Sequence, residues 1–339
     1  MLDFRSDTVT RPSESMRDAA RSADVGDEKR DGDPSVRALE SAVADRLGMD
    51  AGVFVPSGTM ANHLAVRVLS DPGQAVITDA LSHIVTAEYN AVSWIGHRQT
   101  HTIDSASRGT PSASAIASAA TALGDWPGVG MVVLENTHNR RGGLAIGPDR
   151  IRSAAEAAHD RDLSVHLDGA RLGNAAVARD APLQAYAEPV DTVMFDLSKG
   201  LGAPVGAVLA GDADTIARAR RHRNAVGGGM RQAGIVAAPG HVALENVDRL
   251  AEDHRTAVHL ADRLAAIPGI SVREPETNLV FVDPTGLLST ETFVERCREA
   301  DVGCGLVNDT SVRFCTHLDV DKAAVDAAVD RIEATVRVE

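Results

Sequence analysis

Short apolar runs alternate with longer alanine-rich segments over the first two thirds of the chain. Apolar runs of strand length lie at 52–55, 75–78, 131–135, 164–168, 192–196 and 207–210. Helical segments are predicted between them, at 58–69, 113–123, 148–159 and 214–223. This alternation predicts an α/β fold in which a mostly parallel sheet is covered by helices on both faces.

The pattern changes beyond residue 233. A long helical stretch is predicted at 233–264, with a kink at Pro239-Gly240 because proline removes a helical hydrogen bond. Strand and helix patterns then follow at 279–282, 292–299, 312–315 and 322–335. We therefore predict an N-terminal arm and large domain over 1–248 and a small α+β domain over 249–339.

The composition is that of an ordinary globular protein, with 44% hydrophobic and 24% charged residues in 339. No uncharged run reaches the roughly 18 residues of a membrane helix, and charged residues stand where a signal peptide would be apolar. The three cysteines lack metal-ligand spacing and fit reduced thiols. We expect a cytoplasmic protein without a metal site or a membrane partner.

A net charge of −14 argues against a nucleic-acid partner, because nucleic acids bind basic surfaces. Only three of the 34 basic residues are lysines, namely Lys29, Lys199 and Lys322. Adaptation to high salt and a GC-rich genome that encodes arginine in place of lysine both explain this acidic, lysine-poor composition. Either way, a lysine in an apolar segment stands out.

Lys199 lies among small residues just after the predicted strand at 192–196. Partial burial lowers the pKa of an amine and makes it available for a Schiff base. The alternative is a solvated lysine in a surface loop, although apolar and glycine neighbours tolerate an unpaired charge poorly. Lys199 is therefore our candidate reactive amine.

Asp168 ends the predicted strand at 164–168, where ligands bind in open α/β sheets. A carboxylate at this place can keep a pyridine nitrogen protonated, so that the ring accepts electrons. The alternative role is to cap the next turn, and for an isolated aspartate that would be the better interpretation. Together with Lys199, Asp168 points to a cofactor site.

Residues 57–62 follow a strand and begin a helix, so their free N–H groups could hold a phosphate. Simple capping of the helix by Ser57 is the alternative. The segment has neither the glycine spacing and Gly-Lys-Ser/Thr ending of a Walker loop nor the Gly-x-Gly-x-x-Gly of a dinucleotide site. A cofactor with a single phosphate fits better.

Several strings in the same order make the chain similar, over nearly its whole length, to the low-specificity L-threonine aldolases. They are FRSDTVTRP (4–12), FVPSGTM (54–60), LENTHN (134–139), HLDGAR (166–171), LSKGLGAPVG (197–206) and GGGMRQ (227–232). These enzymes have the fold-type I, aspartate-aminotransferase-like architecture and use pyridoxal 5′-phosphate. The resemblance implies retro-aldol cleavage of L-threonine and L-allo-threonine to glycine and acetaldehyde.

The resemblance also implies a role for single residues in binding the cofactor. Lys199 would form an imine with it, Asp168 would pair with its ring nitrogen, and Arg171 would lie near its phenolic oxygen. The phosphate ligands would be Ser57, Gly58, Thr59 and Arg231. In the family this last arginine comes from a neighbouring subunit, which implies a homo-oligomer, a dimer of dimers, with shared active sites.

For catalysis and substrate binding, the resemblance implies three further residues. His83 would stack on the cofactor ring, while Ser6 and Arg313 would bind the substrate carboxylate. Taken alone, His83 could be an ordinary residue at a helix start, and Arg313 could face solvent on an edge strand. The remaining histidines, such as His138, show no metal-site spacing and are expected to be surface or satisfied core residues.

Two departures from the family pattern leave substrate preference open. The loop that usually reads GDDVYGEDP is GDEKRDGDP here (26–34), without its tyrosine. A histidine that relatives often carry is replaced by the segment Asp125-Trp126-Pro127. Asp125 could substitute for it through a water molecule. Alternative functions are an aminotransferase or β-eliminating lyase of the same fold, or a non-catalytic pyridoxal-phosphate protein.

Overall fold

Seven strands form the main sheet of this computed structural model, which describes residues 1–106, 109–126 and 128–336. Pro127 of the segment at 125–127 lies outside the described residues. Together with those of two smaller sheets, the strands of the described residues are β1 (Leu2–Asp3), β2 (Ala51–Val55), β3 (Ala75–Asp79), β4 (Gln99–Ile103), β5 (Val129–Glu135), β6 (Ser164–Gly169), β7 (Thr192–Asp196), β8 (Ala207–Gly211), β9 (Ser271–Val272), β10 (Leu279–Asp283), β11 (Val302–Gly303), β12 (Gly305–Asn308) and β13 (Ser311–Cys315).

Helices cover the sheet and fill the C-terminal part. They are α1 (Glu14–Arg21), α2 (Pro34–Leu47), α3 (Gly58–Leu69), α4 (His83–Thr86), α5 (Ala91–Trp94), α6 (Ala113–Leu123), α7 (Pro148–His159), α8 (Leu172–Ala178), α9 (Leu183–Ala187), α10 (Ala213–Ala225), α11 (Gly234–Ala243), α12 (Leu250–Ala265), α13 (Thr290–Glu299) and α14 (Lys322–Val336). In the described part of the chain, no helix combines the length and the apolar character needed to span a membrane.

The main sheet has the order β2-β8-β7-β6-β5-β3-β4. Strands β3 to β7 pair in parallel, whereas β8 pairs antiparallel with both β2 and β7. The predicted mostly parallel α/β sheet is confirmed. The edge strand β4 was not predicted, because its sequence QTHTI lacks an apolar run and its side chains are largely exposed.

Alternate side chains of each strand enter different hydrophobic clusters, because successive residues of a strand point to opposite faces. On β2, Phe54 packs into the large cluster that contains α2 and α7. Its neighbours Val53 and Val55 pack on the other face, against α3 and α10. Both faces of the sheet are therefore buried, as its apolar runs predict.

A second, antiparallel sheet of order β12-β13-β10-β9 lies in the C-terminal part and packs with α12, α13 and α14. The N-terminus joins this region, because β1 pairs in parallel with β11 and Phe4 lies in the same hydrophobic cluster. The proposed division into domains at residue 248 stays a prediction.

The helical stretch at 233–264 differs from its prediction. Helix α11 runs through Pro239, which lies buried within it, and the kink at Pro239-Gly240 stays a prediction. The helix does not continue to residue 264 but ends at Ala243, and a 3-10 turn at Leu244–Asn246 leads toward α12. Burial of this apolar segment outweighs the hydrogen bond that one proline removes.

Phe4 should be important for stability, because it is fully buried and its ring meets Phe314 edge to face at 6.1 Å. Phe4→Ala should lower the free energy of unfolding by about 3–5 kcal/mol, measured by urea denaturation. Leu306→Ala is the control, since Leu306 is half exposed, and should change it by about 0.5 kcal/mol or less. Equal effects of the two substitutions would contradict the packing described for the N-terminal arm.

Candidate active site

Four neighbouring parallel strands carry an acidic residue at their carboxyl ends, which meet at one edge of the sheet. These buried residues are Asp79 on β3, Glu135 on β5, Asp168 on β6 and Asp196 on β7. Strand β2 points the same way, because β8 is antiparallel to both β2 and β7. The start of α3, which follows β2, is therefore at this edge too.

Lys199 pairs with the acid that ends β7. Its Nζ lies 3.0 Å from Asp196 Oδ2, while the N–H and hydroxyl of Ser198 donate to Oδ1. Burial would raise the pKa of Asp196, but the Lys199 charge and the Ser198 bonds outweigh it and hold the pKa below its ordinary value. Since the Lys199 side chain is 19% exposed, its amine remains accessible to a ligand.

Asp168 belongs to a group of hydrogen-bonded residues that also contains His83. Asn62 Nδ2 donates to Asp168 Oδ2 and to Glu88 Oε1, both at 2.9 Å. His83 Nδ1 lies 2.7 Å from the same Glu88 oxygen. This hydrogen bond raises the pKa of His83, and burial raises that of Glu88. One ligand atom from each of His83, Glu88 and Asp168 lies within 4.8 Å of the others.

Glu135 connects His83 with the C-terminal part of the chain. Its two oxygens accept the backbone N–H groups of His83 at 2.7 Å and Asn139 at 2.9 Å. The Asn139 side-chain oxygen accepts in turn from Arg313 Nη1 at 2.8 Å. Burial raises the pKa of Glu135. A single carboxyl group thus holds the segments that carry two of the predicted site residues.

The start of α3 has the geometry of a phosphate site. Ser57 caps the helix by accepting from the Met60 N–H at 3.2 Å. Within the described residues, the N–H groups of Gly58 and Thr59 have no protein acceptor. A Cβ on Gly58 would lie 3.3 Å from Asp196 Oδ2, so this backbone closely approaches the acid that pairs with Lys199.

Arg171 forms a buried bidentate ion pair with Asp7, through Nε and Nη2 at 2.7 Å each. Asn278 donates to the same aspartate at 3.0 Å. Burial would raise the pKa of Asp7, but Arg171, Lys199 and Asn278 hold it well below its ordinary value. The influence of the Lys199 charge indicates that the N-terminal arm borders the site.

Ser6 and Arg313, the predicted carboxylate ligands, lie on adjacent pieces of chain. Arg313 Nη2 donates to the carbonyl of Arg5 at 3.1 Å, next to Ser6. Ser6 Oγ accepts from the Thr8 N–H and caps a short 3-10 helix. Arg313 Nε is buried without an acceptor, which leaves a donor for a ligand.

Arg231 is not at the site in a single chain. It is 59% exposed and donates to both oxygens of Asp27 at 3.1 Å. The glycine loop before it does approach α3, because a Cβ on Gly228 would collide with Met60. In the loop that lacks the family tyrosine, Glu28 is buried and pairs with Arg223.

Asp125 follows α6 and precedes β5, whereas the site lies at the other end of β5. A strand of this length spans roughly 20 Å, so Asp125 does not reach His83 of its own chain, and the proposed substitution is wrong within one chain. His138 is fully buried and bonded to Asp79 at 3.0 Å. It is a core histidine, but its buried Nδ1 has no hydrogen-bond partner among the described residues.

Sequence reasoning singled out Lys199, Asp168 and His83 but missed their hydrogen-bond partners. Asp196 and Glu135 had a signal, because each ends an apolar run. The sequence contains no such signal for Asn62, Glu88 and Asp7. The partners of Asn62 and Asp7 lie far away in sequence, and the contacts of Glu88 depend on the fold of a short helical segment. The structure thus surrounds the predicted residues with polar partners that only the folded chain brings together.

Comparisons with known proteins identify the family and the fold of the chain. The family model described as β-eliminating lyase matches residues 3–286. The chain is 39% identical to low-specificity L-threonine aldolase 1 of Arabidopsis thaliana, over 96% of this chain and 93% of the other. It is 38% identical to the low-specificity L-threonine aldolase of Escherichia coli K12, over 95% of each. A threonine aldolase structure from Leishmania major shares the fold, with a TM-score of 0.84 at 21% identity, over 98% and 99% of the two chains.

The buried Asp7–Arg171 pair should make the protein sensitive to acid. Because the pKa of Asp7 is lowered on folding, the pair stabilises the protein above the ordinary aspartate pKa of about 4 and loses this contribution as pH falls. Asp7→Asn leaves Arg171 without a counter-charge and should lower the free energy of unfolding by about 3–5 kcal/mol at pH 7.

Urea denaturation between pH 7 and pH 3 checks this expectation, and the difference from wild type should shrink below a pH of about 4. Asp18→Asn, which removes an exposed ion pair with Arg21, is the matched control and should have little effect at any pH. A loss that is independent of pH would show that the charge of Asp7 is not what stabilises the fold.

Proposed function

Since the chain belongs to the β-eliminating lyase family, and within it to the low-specificity L-threonine aldolases, we propose that it cleaves L-threonine and L-allo-threonine to glycine and acetaldehyde. The observation that carries this proposal is the placing of the Lys199 amine beside Asp196, at the edge where Asp168 and the start of α3 also lie. The family cofactor is pyridoxal 5′-phosphate.

The residues at this edge fit that cofactor. The free N–H groups of Gly58 and Thr59, with Ser57, would bind its phosphate. Asp168 would bind the protonated ring nitrogen, because its carboxylate is already oriented by Asn62 and by the Ala170 N–H. When bound, the cofactor supplies an electron sink for the bond between Cα and Cβ of the substrate.

The contacts of Lys199 and Arg171 support their proposed roles. The Lys199 amine, which Asp196 orients at 3.0 Å, would hold the cofactor. Arg171 uses Nε and Nη2 on Asp7, so its Nη1 is left to donate to the phenolic oxygen of the cofactor. The buried ion pair with Asp7 orients this guanidinium before any ligand binds.

Substrate orientation follows from Ser6, Arg313 and His83. The unpaired Nε of Arg313 and the hydroxyl of Ser6 would bind the substrate carboxylate, which sets the direction of the Cα–Cβ bond. With Nδ1 bonded to Glu88, the imidazole of His83 has Nε2 left for the β-hydroxyl or its water. The raised pKa of His83 suits a group that exchanges a proton near neutral pH.

We also propose a homo-oligomer, a dimer of dimers, whose sites are shared between subunits. A cavity of about 390 Å³ next to the phosphate site is lined by Ser57, Thr59 and a group of exposed apolar side chains. Those side chains are Tyr89, Trp94, Ile95 and Val226. Such an exposed apolar patch suits burial by another subunit, and the exposed Arg231 would then reach the neighbouring phosphate.

For the compartment, we propose the cytoplasm. Cys297, Cys304 and Cys315 are buried free thiols, a state that reducing compartments maintain. Cell fractionation with an antibody against the protein tests this, and recovery with secreted proteins would contradict it.

The activity should be measured as glycine and acetaldehyde released by the cofactor-loaded protein. Both epimers should be cleaved, with kcat/KM values within about tenfold, since one hydrogen bond from His83 distinguishes the hydroxyl positions by only about 1 kcal/mol. Lys199→Ala should lose at least about a thousandfold in kcat, because it removes the amine that holds the cofactor. Lys322→Ala removes an exposed lysine and is the matched control.

His83→Phe keeps an aromatic ring for stacking but removes the hydrogen bond, so cleavage should fall while the cofactor still binds. A product other than glycine and aldehyde, such as a keto acid, would support an aminotransferase or a β-eliminating lyase instead. A Lys199→Ala variant with normal turnover would contradict the assignment of the reactive amine.

The oligomer is tested by light scattering after gel filtration. Trp94→Glu places a charge in the exposed apolar patch and should dissociate the assembly and reduce activity. Trp126→Glu is the control, because Trp126 is 94% exposed and lies at the opposite edge of the sheet. A fully active wild-type monomer at assay concentration would contradict shared sites.

A further inference from the structure

We propose that Asn62 is a positioning residue that fixes both Asp168 and the His83–Glu88 pair, and that His166 and Thr192 fix the orientation of its amide. The proposal rests on the proposed function, in which Asp168 binds the cofactor ring nitrogen. Asn62 itself would touch neither cofactor nor substrate. It is buried on α3, one turn beyond the phosphate site.

The orientation of the Asn62 amide follows from its neighbours. One end faces two carboxyl oxygens, Asp168 Oδ2 and Glu88 Oε1, each at 2.9 Å. Ionised carboxylates only accept hydrogen bonds, so this end must be the amide nitrogen, which has two protons to donate. Both protons are thereby used, and the amide oxygen must face His166.

His166 completes the arrangement on the other side. Its Nε2 lies 3.0 Å from the Asn62 oxygen and therefore donates to it. Burial lowers the pKa of His166 to about 4, so at neutral pH the ring carries one proton, at Nε2. Nδ1 must then accept, and the Thr192 hydroxyl, 2.8 Å away, is its donor. Every proton in this chain of contacts has one consistent position.

The effect of the Asn62 amide is to keep two buried carboxyl groups close together. Burial and the nearby charge of Asp168 raise the pKa of Glu88, and the hydrogen bond from Asn62 counteracts this rise. Asp168 Oδ1 accepts from the Ala170 N–H at 3.1 Å, so the carboxylate is held at both oxygens. The carboxylate of Asp168 is thereby held in one orientation, in which it would pair with the cofactor ring nitrogen.

The contacts also join separate elements of the site. Thr192 lies on β7, His166 and Asp168 on β6, Asn62 on α3, and Glu88 just after α4. The helix that carries the phosphate site is thereby tied to the strand that carries the ring-nitrogen carboxylate and to the segment of His83. One amide thus sets the distance between three proposed cofactor contacts.

Asn62→Leu tests the proposal, because it keeps the branched shape and the number of side-chain heavy atoms and removes both donors. Two properties should be measured on the full-length protein: the dissociation constant of pyridoxal phosphate, by spectral titration, and the chemical shift of its isotope-labelled ring nitrogen. We expect binding about tenfold weaker. The shift should move toward the unprotonated value, because Asp168 loses the hydrogen bond that holds it in position to pair with the ring nitrogen.

The matched control is Asn174→Leu, which breaks the hydrogen bond of another buried asparagine, that of Asn174 with the partly buried His254 at 2.9 Å. It should lower stability without moving the ring-nitrogen shift. Thr192→Val, which removes only the hydroxyl that bonds His166, should move the shift in the same direction as Asn62→Leu but less. If Asn62→Leu does not fold, the ring-nitrogen shift of Thr192→Val tests the role of Asn62 by itself.

A ring-nitrogen shift that is unchanged in Asn62→Leu, or in Thr192→Val when only that variant folds, would overturn the role of Asn62. An equal movement in Asn174→Leu would overturn it too, because the effect would then follow from lost stability. These results contradict this inference alone when the wild type binds pyridoxal phosphate and cleaves threonine. A wild type that does neither contradicts the proposed function and this inference with it.

Discussion

Four carboxyl groups are buried at the ends of four neighbouring parallel strands, and the fold can bury them only where each has hydrogen-bond donors or a counter-charge. Asp79 has His138 and Arg141, Glu135 has two backbone N–H groups, Asp168 has Asn62, and Asp196 has Lys199. Most of the donors are proposed site residues or belong to the segments that carry them. Satisfying these carboxyl groups therefore also assembles the site.

The same constraint explains why the N-terminal arm and the C-terminal part converge on this edge. Arg171 follows β6, and the arm supplies its counter-charge, Asp7, while Asn278 of the C-terminal part donates to that aspartate. Arg313 is connected to Glu135 by Asn139, whose side-chain oxygen accepts from Arg313 and whose backbone N–H donates to Glu135. The ion pairs and hydrogen bonds thus connect three distant parts of the sequence, and substrate would bind between them.

The spacing of apolar residues was enough to predict the central strands and the helices beside them. The position of Lys199 and Asp168 at or just after an apolar run was enough to single out these two residues. Strand β4 was not predicted, because an exposed edge strand needs no apolar run. Asn62 and Glu88 could not be found, since their partners come from other elements and only the folded chain brings them together. The end of α11 at Ala243, inside the predicted helical stretch at 233–264, was also missed.

The position of the cofactor is the central claim, and the scarcity of lysine makes it directly measurable. Borohydride reduction of the protein loaded with pyridoxal phosphate converts the carbon–nitrogen double bond between lysine and cofactor into a stable amine. Peptide mass spectrometry then identifies which of Lys29, Lys199 and Lys322 is labelled. The structure predicts the label on Lys199 alone. A label on either of the other two lysines, or none at all, would contradict it.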